Sequence, residues 1–167
     1  MGNRDDLLVG AKRCLVERGW ARTTVRDIAK EAGVSHAAIG YHFGSRENLL
    51  IQALFESIEE LGGQVELEQA ASGPEGRWQA LTDSFVTHRA LWVAQIEAIA
   101  QAQQVPALRE RLAEAQRHSR EAFGGSVPLA LLLGLMVQSL IDPDTAPSVG
   151  QLQEELKTLA EHPGRLP

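Results

Sequence analysis

Cysteine is nearly absent from this chain of 167 residues, in which Cys14 is the only one. One thiol cannot form an internal disulfide, so a disulfide-stapled extracellular fold is excluded and a reducing compartment is favoured. Cys14 lies on the apolar side of a predicted helix, where a thiol packs as a small hydrophobic side chain. We therefore predict a buried structural cysteine.

Long hydrophobic runs are also missing, although hydrophobic residues make up 44% of the chain. The longest apolar stretch, Val127 to Val137, is shorter than the roughly 18 residues that a membrane span requires, and it contains Gly134. The first six residues carry charge and lead into no apolar core of a signal peptide. These absences predict a cytoplasmic protein with no membrane partner.

Sequence signatures of catalysis and of metal binding are lacking as well. The chain has no Gly-rich phosphate loop, no nucleophile elbow and no pair of carboxylates in an apolar setting. His36 and His42 are six residues apart, and His118 lies among the charges of Glu114 and Glu121, so neither group matches a closed ligand set. We therefore expect that the protein is not an enzyme and has no catalytic residue. We also expect that it binds no metal and no cofactor.

Alternation of apolar and polar residues, the signature of a β-strand, is not maintained anywhere in the chain. Helical periodicity recurs instead, and it predicts an all-α protein with about nine helices. We expect helix ends at Gly19 and at the pair Gly62–Gly63, a loop over residues 70–74, and a bend near His88. Pro106 is expected to begin a helix whose charges alternate in sign and face solvent.

Charge is distributed unevenly along the chain, whose formal net charge is −6. Residues 1–50 contain eight Lys or Arg against six Asp or Glu, a balance of +2, whereas residues 51–167 contain eight against sixteen, a balance of −8. A basic N-terminal end suits contact with phosphate, and an acidic remainder is repelled by it. The asymmetry favours nucleic-acid binding through the N-terminal end.

Residues 24–43 meet the physical requirements of a helix-turn-helix. Thr24 is a good N-cap with Asp27 three residues later, and Gly33 tolerates the positive φ that the turn needs. Ala29 is small enough for two helices to cross closely. His36, Ala37, Gly40 and Tyr41 are expected to face outward from the second helix, as groups entering a major groove about 12 Å wide must.

These residues also resemble a known family. The segments 23–35 (TTVRDIAKEAGVS), 38–43 (AIGYHF) and 45–50 (SRENLL), preceded by Glu17-Arg18-Gly19, look like the TetR family of one-component repressors. The resemblance covers about the first 55 residues and is specific, because spacing and residue type agree over three helices. It implies a three-helix DNA-binding head over residues 1–46 and a helical body for ligand binding and dimerisation over residues 47–167.

The resemblance assigns DNA-contacting roles within the head. Thr24, Tyr41, His42 and Arg46 match positions that usually touch phosphates, and Arg26 is our strongest candidate for a base contact because a guanidinium can bond guanine bidentately. Family members often carry an aromatic residue at the position of Gly40, which puts that contact in doubt. The full predicted set is Thr24, Arg26, Ser35, His36, Ala37, Gly40, Tyr41, His42 and Arg46.

Each of these roles has a purely structural alternative. Arg26 can be a solvated helix residue, Tyr41 and His42 can be packing residues, and Thr24 and Ser35 can be caps and nothing more. For the whole chain, the alternatives are an enzyme and a helical module that uses the helix-turn-helix for protein contacts. Salt-dependent binding to duplex DNA distinguishes a regulator from both.

For the body, the resemblance implies a homodimer built from the last two helices and a cavity for a small-molecule effector. The stretch Val127–Ile141 is apolar nearly all round, so it must be buried on more than one side. A dimer also places two reading helices about 34–36 Å apart on a palindromic operator of double-stranded DNA. Candidate effector-binding residues are the polar or aromatic groups in apolar helices: Trp78, Phe85, His88, Trp92, Gln95, Glu97 and Gln138.

Overall fold

The computed structural model describes residues 3–161, and of residues 68–75 it describes only the helical backbone. Over residues 3–161 the regular elements are all α-helices, which confirms the all-α prediction, and they number eight where about nine were predicted. In chain order they are α1 Asn3–Arg18, α2 Val25–Ala32, α3 Ala37–Phe43, α4 Arg46–Thr87, α5 Arg89–Gln101, α6 Pro106–Ala122, α7 Ser126–Ile141 and α8 Val149–Glu161.

Helix α1 supplies the core of the N-terminal head. Leu7, Ala11 and Leu15 are at most 1% exposed, on the face that periodicity predicts. The helix ends before Gly19, whose φ of +80° is one that glycine adopts at little cost. Gly10 lets α2 approach α1 closely, because a Cβ at this position would lie 3.1 Å from the backbone nitrogen of Ala32.

Helix α4 corrects two predictions. It continues through Gly62–Gly63 and through residues 70–74, where a helix end and a loop were expected. A helical glycine costs about 1 kcal/mol relative to alanine, but burial of apolar side chains outweighs such a cost. Leu61 and Val65 beside the glycines are 6% and 4% exposed, so their packing holds the helix together at this point.

The body is built by α5, α6 and α7 packing against α4. The predicted bend is present at His88, which ends α4 and precedes α5. Leu108 of α6 and Leu135 and Met136 of α7 are at most 2% exposed and join the same hydrophobic core as the head. Pro106 begins α6 as predicted.

The last two helices keep much of their apolar surface exposed. Helix α7 buries Leu132, Leu135, Met136 and Ser139, whereas Val127 and Ile141 are 66% and 78% exposed. Helix α8 buries none of its residues, and its Leu156 and Leu159 are each 39% exposed. Within a single chain α7 is therefore buried on one face only.

No helix among the described residues is by itself long and apolar enough to cross a membrane. Helices α6 and α7 meet that criterion only when they are taken together across the 115° bend between them.

Candidate nucleic-acid interface and body cavity

The first turn of α2 is fixed by a reciprocal capping box. The Thr24 hydroxyl accepts a hydrogen bond from the backbone N–H of Asp27 (3.2 Å), and the Asp27 carboxylate accepts one from the backbone N–H of Thr24 (2.9 Å). The Thr24 hydroxyl also donates to the same carboxylate at 2.6 Å. These bonds from Thr24 lower the pKa of Asp27. The predicted cap is confirmed, and Thr24 remains exposed beside it.

The turn between α2 and α3 has the predicted geometry. Gly33 has a φ of +68°, and its backbone N–H donates to the carbonyls at the end of α2. Ile28 and Ile39 are 0% and 2% exposed and join the two helices beneath the turn. The Ser35 hydroxyl accepts a hydrogen bond from the N–H of Ala37 at 3.3 Å, so Ser35 caps the first turn of α3.

Most of the predicted DNA-contacting residues are exposed on α2, on α3 and in the segments that precede these helices, and we call this set the α2–α3 surface. Tyr41 is 86% exposed, and its ring meets the His42 ring edge-on with centroids 4.8 Å apart. His42 is half-buried between Tyr41 and Phe43, so it also has a packing role. The exposed members are Thr24, Arg26, Ser35, His36, Ala37, Gly40 and Tyr41.

Arg26 differs from the other arginines of the head. Arg13 forms a salt bridge with Glu31 at 3.0 Å, and Arg18 forms one with Asp27 at 3.4 Å. Among the described residues no side chain or carbonyl pairs with the exposed Arg26 guanidinium. A guanidinium without an internal partner keeps all its donors available for a ligand.

Arg46 has an internal role that its spacing did not predict. Its Nε donates to the carbonyl of Thr23, its Nη2 donates to the carbonyl of Trp20 at 2.5 Å, and its Nη1 bonds Glu47 at 3.1 Å. The guanidinium therefore ties the start of α4 to the loop between α1 and α2. Its predicted phosphate contact stays a prediction, and it has to be made by the two of its five N–H donors that these bonds leave free.

Glu97 of α5 binds the same loop from the other side. Its Oε2 accepts a hydrogen bond from the backbone N–H of Trp20 at 2.6 Å. Trp20 is 1% exposed, and a Cβ on Gly19 would lie 2.4 Å from the same oxygen. Glu97 was predicted to bind an effector, but the structure places it at the contact between body and head.

A cavity of about 510 Å³ lies within the body, between α4, α5, α6 and α7. Trp92 and Gln95, two of the predicted effector-binding residues, line it. Trp92 is held by a bond from its Nε1 to the carbonyl of Ser84 (3.1 Å), and the Oε1 of Gln95 is buried without a described hydrogen-bond partner. Apolar walls include Phe55, Leu61, Val65, Leu81, Ile99, Leu112, Phe123, Leu129, Leu132 and Leu133.

The other predicted effector-binding residues lie outside this lining, and their packing explains why. Phe85 is 1% exposed, with its ring 5.3 Å from that of Trp92 in the core, and Trp78 packs on Phe123 at 6.2 Å. His88 is exposed at the break between α4 and α5, so it does not share one unbroken helix face with Trp92. Gln138 is exposed and bonds the carbonyl of Gly134 within α7.

Two arginines of the cavity were missed by the sequence reasoning. The Arg111 guanidinium lies over the Phe55 ring (4.9 Å to its centroid), and that of Arg77 lies over the Phe123 ring (4.6 Å). Arg111 lies on α6, whose alternating charges suggested solvent exposure, whereas Arg77 lies on α4; in both residues the stem covers apolar surface and the planar head stacks on an aromatic ring. The sequence offered one signal for this stacking of arginine on aromatic rings, which is alternating charge with aromatic residues nearby.

Comparisons with known proteins agree with this geometry. Residues 7–53 match the family model for bacterial regulatory proteins of the tetR family. The transcriptional repressor KstR2 of Rhodococcus jostii is 37% identical over 86 residues, or 52% of this chain and 41% of that protein. The repressor AcnR of Corynebacterium glutamicum is 43% identical over 49 residues, or 29% of this chain and 26% of that protein. The chain thus covers less than half the length of these relatives.

The fold of the whole chain is similar to that of solved regulators. The multidrug binding protein EbrR, crystallised with imidazole, superimposes with a TM-score of 0.74 at 25% identity, over 93% of this chain and 88% of that one. Residues 7–53 thus resemble the DNA-binding head of the tetR family of bacterial regulatory proteins, and the fold of the chain as a whole is similar to that of the multidrug binding protein EbrR.

Proposed function

We propose that the protein is a cytoplasmic transcriptional repressor that binds a palindromic operator as a homodimer and is released by a small molecule in the body cavity. The observation that carries the proposal is the α2–α3 surface, where Arg26 is exposed, has no partner among the described residues and lies beside a capped helix start. Two relatives that are transcriptional repressors are 43% identical over 49 residues and 37% identical over 86 residues. The nine predicted contact residues are proposed to touch DNA.

Selection from a pool of randomised duplexes tests the DNA-binding step. We expect enrichment of a palindrome, with affinity falling steeply as salt rises because phosphate contacts release counterions. Arg26→Ala should lower affinity for the selected site by roughly 5- to 150-fold, which corresponds to about 1–3 kcal/mol of base discrimination. Arg117→Ala, which removes an equal charge from exposed α6, is the matched control. Failure to enrich any site would contradict the regulator function.

The dimer is supported by the apolar surface that α7 and α8 leave exposed. Val137 of α7 is 40% exposed and, by helical spacing, lies on the same side as Val127 and Ile141; on α8, Leu156 and Leu159 are each 39% exposed. Apolar side chains grouped in this way mark protein interfaces. In sedimentation velocity we expect a dimer that Val137→Glu converts to a monomer. Val16→Glu, at an equally accessible valine of α1, should stay dimeric; a wild-type monomer at micromolar concentration would contradict the proposal.

Effector release is supported by the position of α5 between the cavity and the head. Trp92 and Gln95 of this helix line the cavity, and Glu97, two residues after Gln95, bonds Trp20. A molecule that displaces α5 therefore changes a contact with the head. The neighbour EbrR has been crystallised with proflavin, so this fold can hold small molecules. Linkage requires that an effector and the operator weaken each other's binding by the same factor, which titrations in both directions would measure.

A further inference from the structure

The residues of α2 carry no net charge of their own. The helix contains two cations, Arg26 and Lys30, and two anions, Asp27 and Glu31. The cations are four residues apart and so are the anions, so each pair forms a separate strip along the helix. Because phosphate repels carboxylates, a helix of this composition has no overall electrostatic attraction for DNA.

Both carboxylates of α2 are paired with arginines of α1. Nη1 of Arg13 lies 3.0 Å from Oε1 of Glu31, and Nη1 of Arg18 lies 3.4 Å from Oδ1 of Asp27. Asp27 is ionised near neutral pH, because hydrogen bonds from Thr24 and the charge of Arg18 hold its pKa below the ordinary value of 3.8. Helix α1 therefore supplies one positive charge for each negative charge of α2.

The two cations of α2 have no such compensation. Arg26 and Lys30 are exposed, and neither forms a hydrogen bond or an ion pair within the described part of the chain. Arg26 belongs to the α2–α3 surface, and Lys30 follows it by one turn in the same strip. Once the carboxylates are paired, this strip is the uncompensated charge of α2.

The two ion pairs contribute little to the stability of the fold. The side chains of Arg13 and Arg18 are 62% and 50% exposed, and solvent screens such pairs. An unpaired carboxylate within about 10 Å of a phosphate, in contrast, repels it at moderate ionic strength. We propose that Arg13 and Arg18 mask the carboxylates of α2, so that Arg26 and Lys30 give this helix a net positive charge toward DNA. This inference rests on the proposed DNA-binding function.

Anisotropy titration of the protein with a short labelled duplex of random sequence tests the masking. Arg13→Gln unmasks Glu31, so affinity should fall roughly three- to tenfold at about 0.05 M salt. The loss should be smaller at about 0.2 M salt, because ions then screen the carboxylate. Arg117→Gln removes an equal charge from exposed α6 and should bind as the wild type does. Unchanged affinity in Arg13→Gln would overturn the proposal.

A second substitution separates masking from a direct contact between Arg13 and DNA. Glu31→Gln removes the unmasked carboxylate, so the double variant Arg13→Gln/Glu31→Gln should regain wild-type affinity. Glu31→Gln alone should bind more tightly than the wild type. A double variant as weak as Arg13→Gln would show that Arg13 touches phosphate itself, and the proposal would be overturned. Arg18→Gln unmasks Asp27 in the same way, and it takes the place of Arg13→Gln if that variant does not fold.

The cationic strip of α2 is tested by Lys30→Gln. This change should weaken binding to selected and random duplexes by similar factors, since phosphate contacts carry no sequence information. Unchanged affinity would overturn the claim that α2 presents both cations to DNA. A wild type that binds no duplex would refute the regulator function and the masking with it. A wild type that binds duplex, with Arg13→Gln unaffected, would refute the masking alone.

Discussion

The carboxylate of Glu97 in the body bonds the backbone N–H of Trp20 in the head at 2.6 Å, across 77 residues of sequence. On the other side of the same loop, Arg46 donates to the carbonyls of Trp20 and Thr23. The Thr23 hydroxyl, which is buried, donates to the carbonyls of Cys14 and Gly19. The loop that precedes α2 is therefore held by both α4 and α5, and the orientation of α2 depends on the body.

Glu97→Ala should lower the free energy of unfolding by about 1–3 kcal/mol, because it leaves the buried N–H of Trp20 unpaired. Gly19→Ala should be destabilising too, since its φ is +80° and its Cβ would displace the Glu97 carboxylate. Both changes break one contact, so their effects should be less than additive in a double-mutant cycle measured by urea unfolding. Full additivity would show that the Gly19 effect is backbone strain alone.

Arg46→Lys should destabilise the protein by about 1–2 kcal/mol although it keeps the charge, because an ammonium cannot reproduce the forked bonds to two carbonyls. Affinity for specific and random duplexes should fall by similar factors. Arg22→Lys is the control: Arg22 is exposed, and among the described residues it bonds only the carbonyl of Arg18. If Arg46→Lys left the free energy of unfolding unchanged, a phosphate contact would remain as the main role of Arg46.

The capping box of α2 should make stability depend on pH. Hydrogen bonds from Thr24 hold the pKa of Asp27 below its ordinary value of 3.8. The stabilisation from ionised Asp27 is therefore present above that value and is lost as pH falls through the lower pKa of the folded state. Urea unfolding from about pH 5 to about pH 2 should show a smaller loss in Asp27→Asn than in the wild type. If the free energies of unfolding of the two proteins fell equally with pH, a role for the ionised carboxylate of Asp27 would be contradicted.

Gly40→Ala should stabilise the head by about 0.5–1 kcal/mol. The residue lies within α3, and a Cβ there would meet no atom within 4 Å. Gly33→Ala is the contrasting variant: its Cβ also has open space, but a φ of +68° makes the change destabilising. Thermal unfolding measures both, and a destabilised Gly40→Ala would show that α3 needs glycine for another reason.

Cys14 should react slowly with thiol reagents in the native protein. It is 2% exposed, and burial raises the pKa of its thiol, so little thiolate is present near neutral pH. Modification should be on the order of a hundredfold faster in denaturing urea, because the thiol then becomes accessible. Rapid modification of the native protein would contradict its structural role.

The head was predictable because its signals act over short distances. The Thr24 hydroxyl pairs with an N–H three residues later, and Gly33 adopts the positive φ that its turn requires. These groups are close in sequence, so residue type and spacing specify the contact. The cap at Thr24, the turn at Gly33 and the burial of Cys14 are confirmed.

The continuity of α4 was not predictable in this way. Glycines at positions 62 and 63 are local helix breakers, and the expected break does not occur because Leu61 and Val65 are buried by neighbouring helices. Propensity is a weak preference that packing energy overrides. The residues around positions 62 and 63 show that glycine disfavours a helix there. They do not show the contacts with distant helices that outweigh this cost.

By itself the sequence determined an all-α chain, the helix-turn-helix and the residues that its surface presents, because local hydrogen bonding and helical periodicity are written in neighbouring positions. Only the tertiary structure decided that Glu97 bonds Trp20 and that Arg46 bonds the same loop. It also decided that Gln95 and Trp92 share a cavity from which Phe85 and Gln138 are excluded. Periodicity defines the face on which a side chain lies, but the partner that covers that face comes from distant segments brought together by packing.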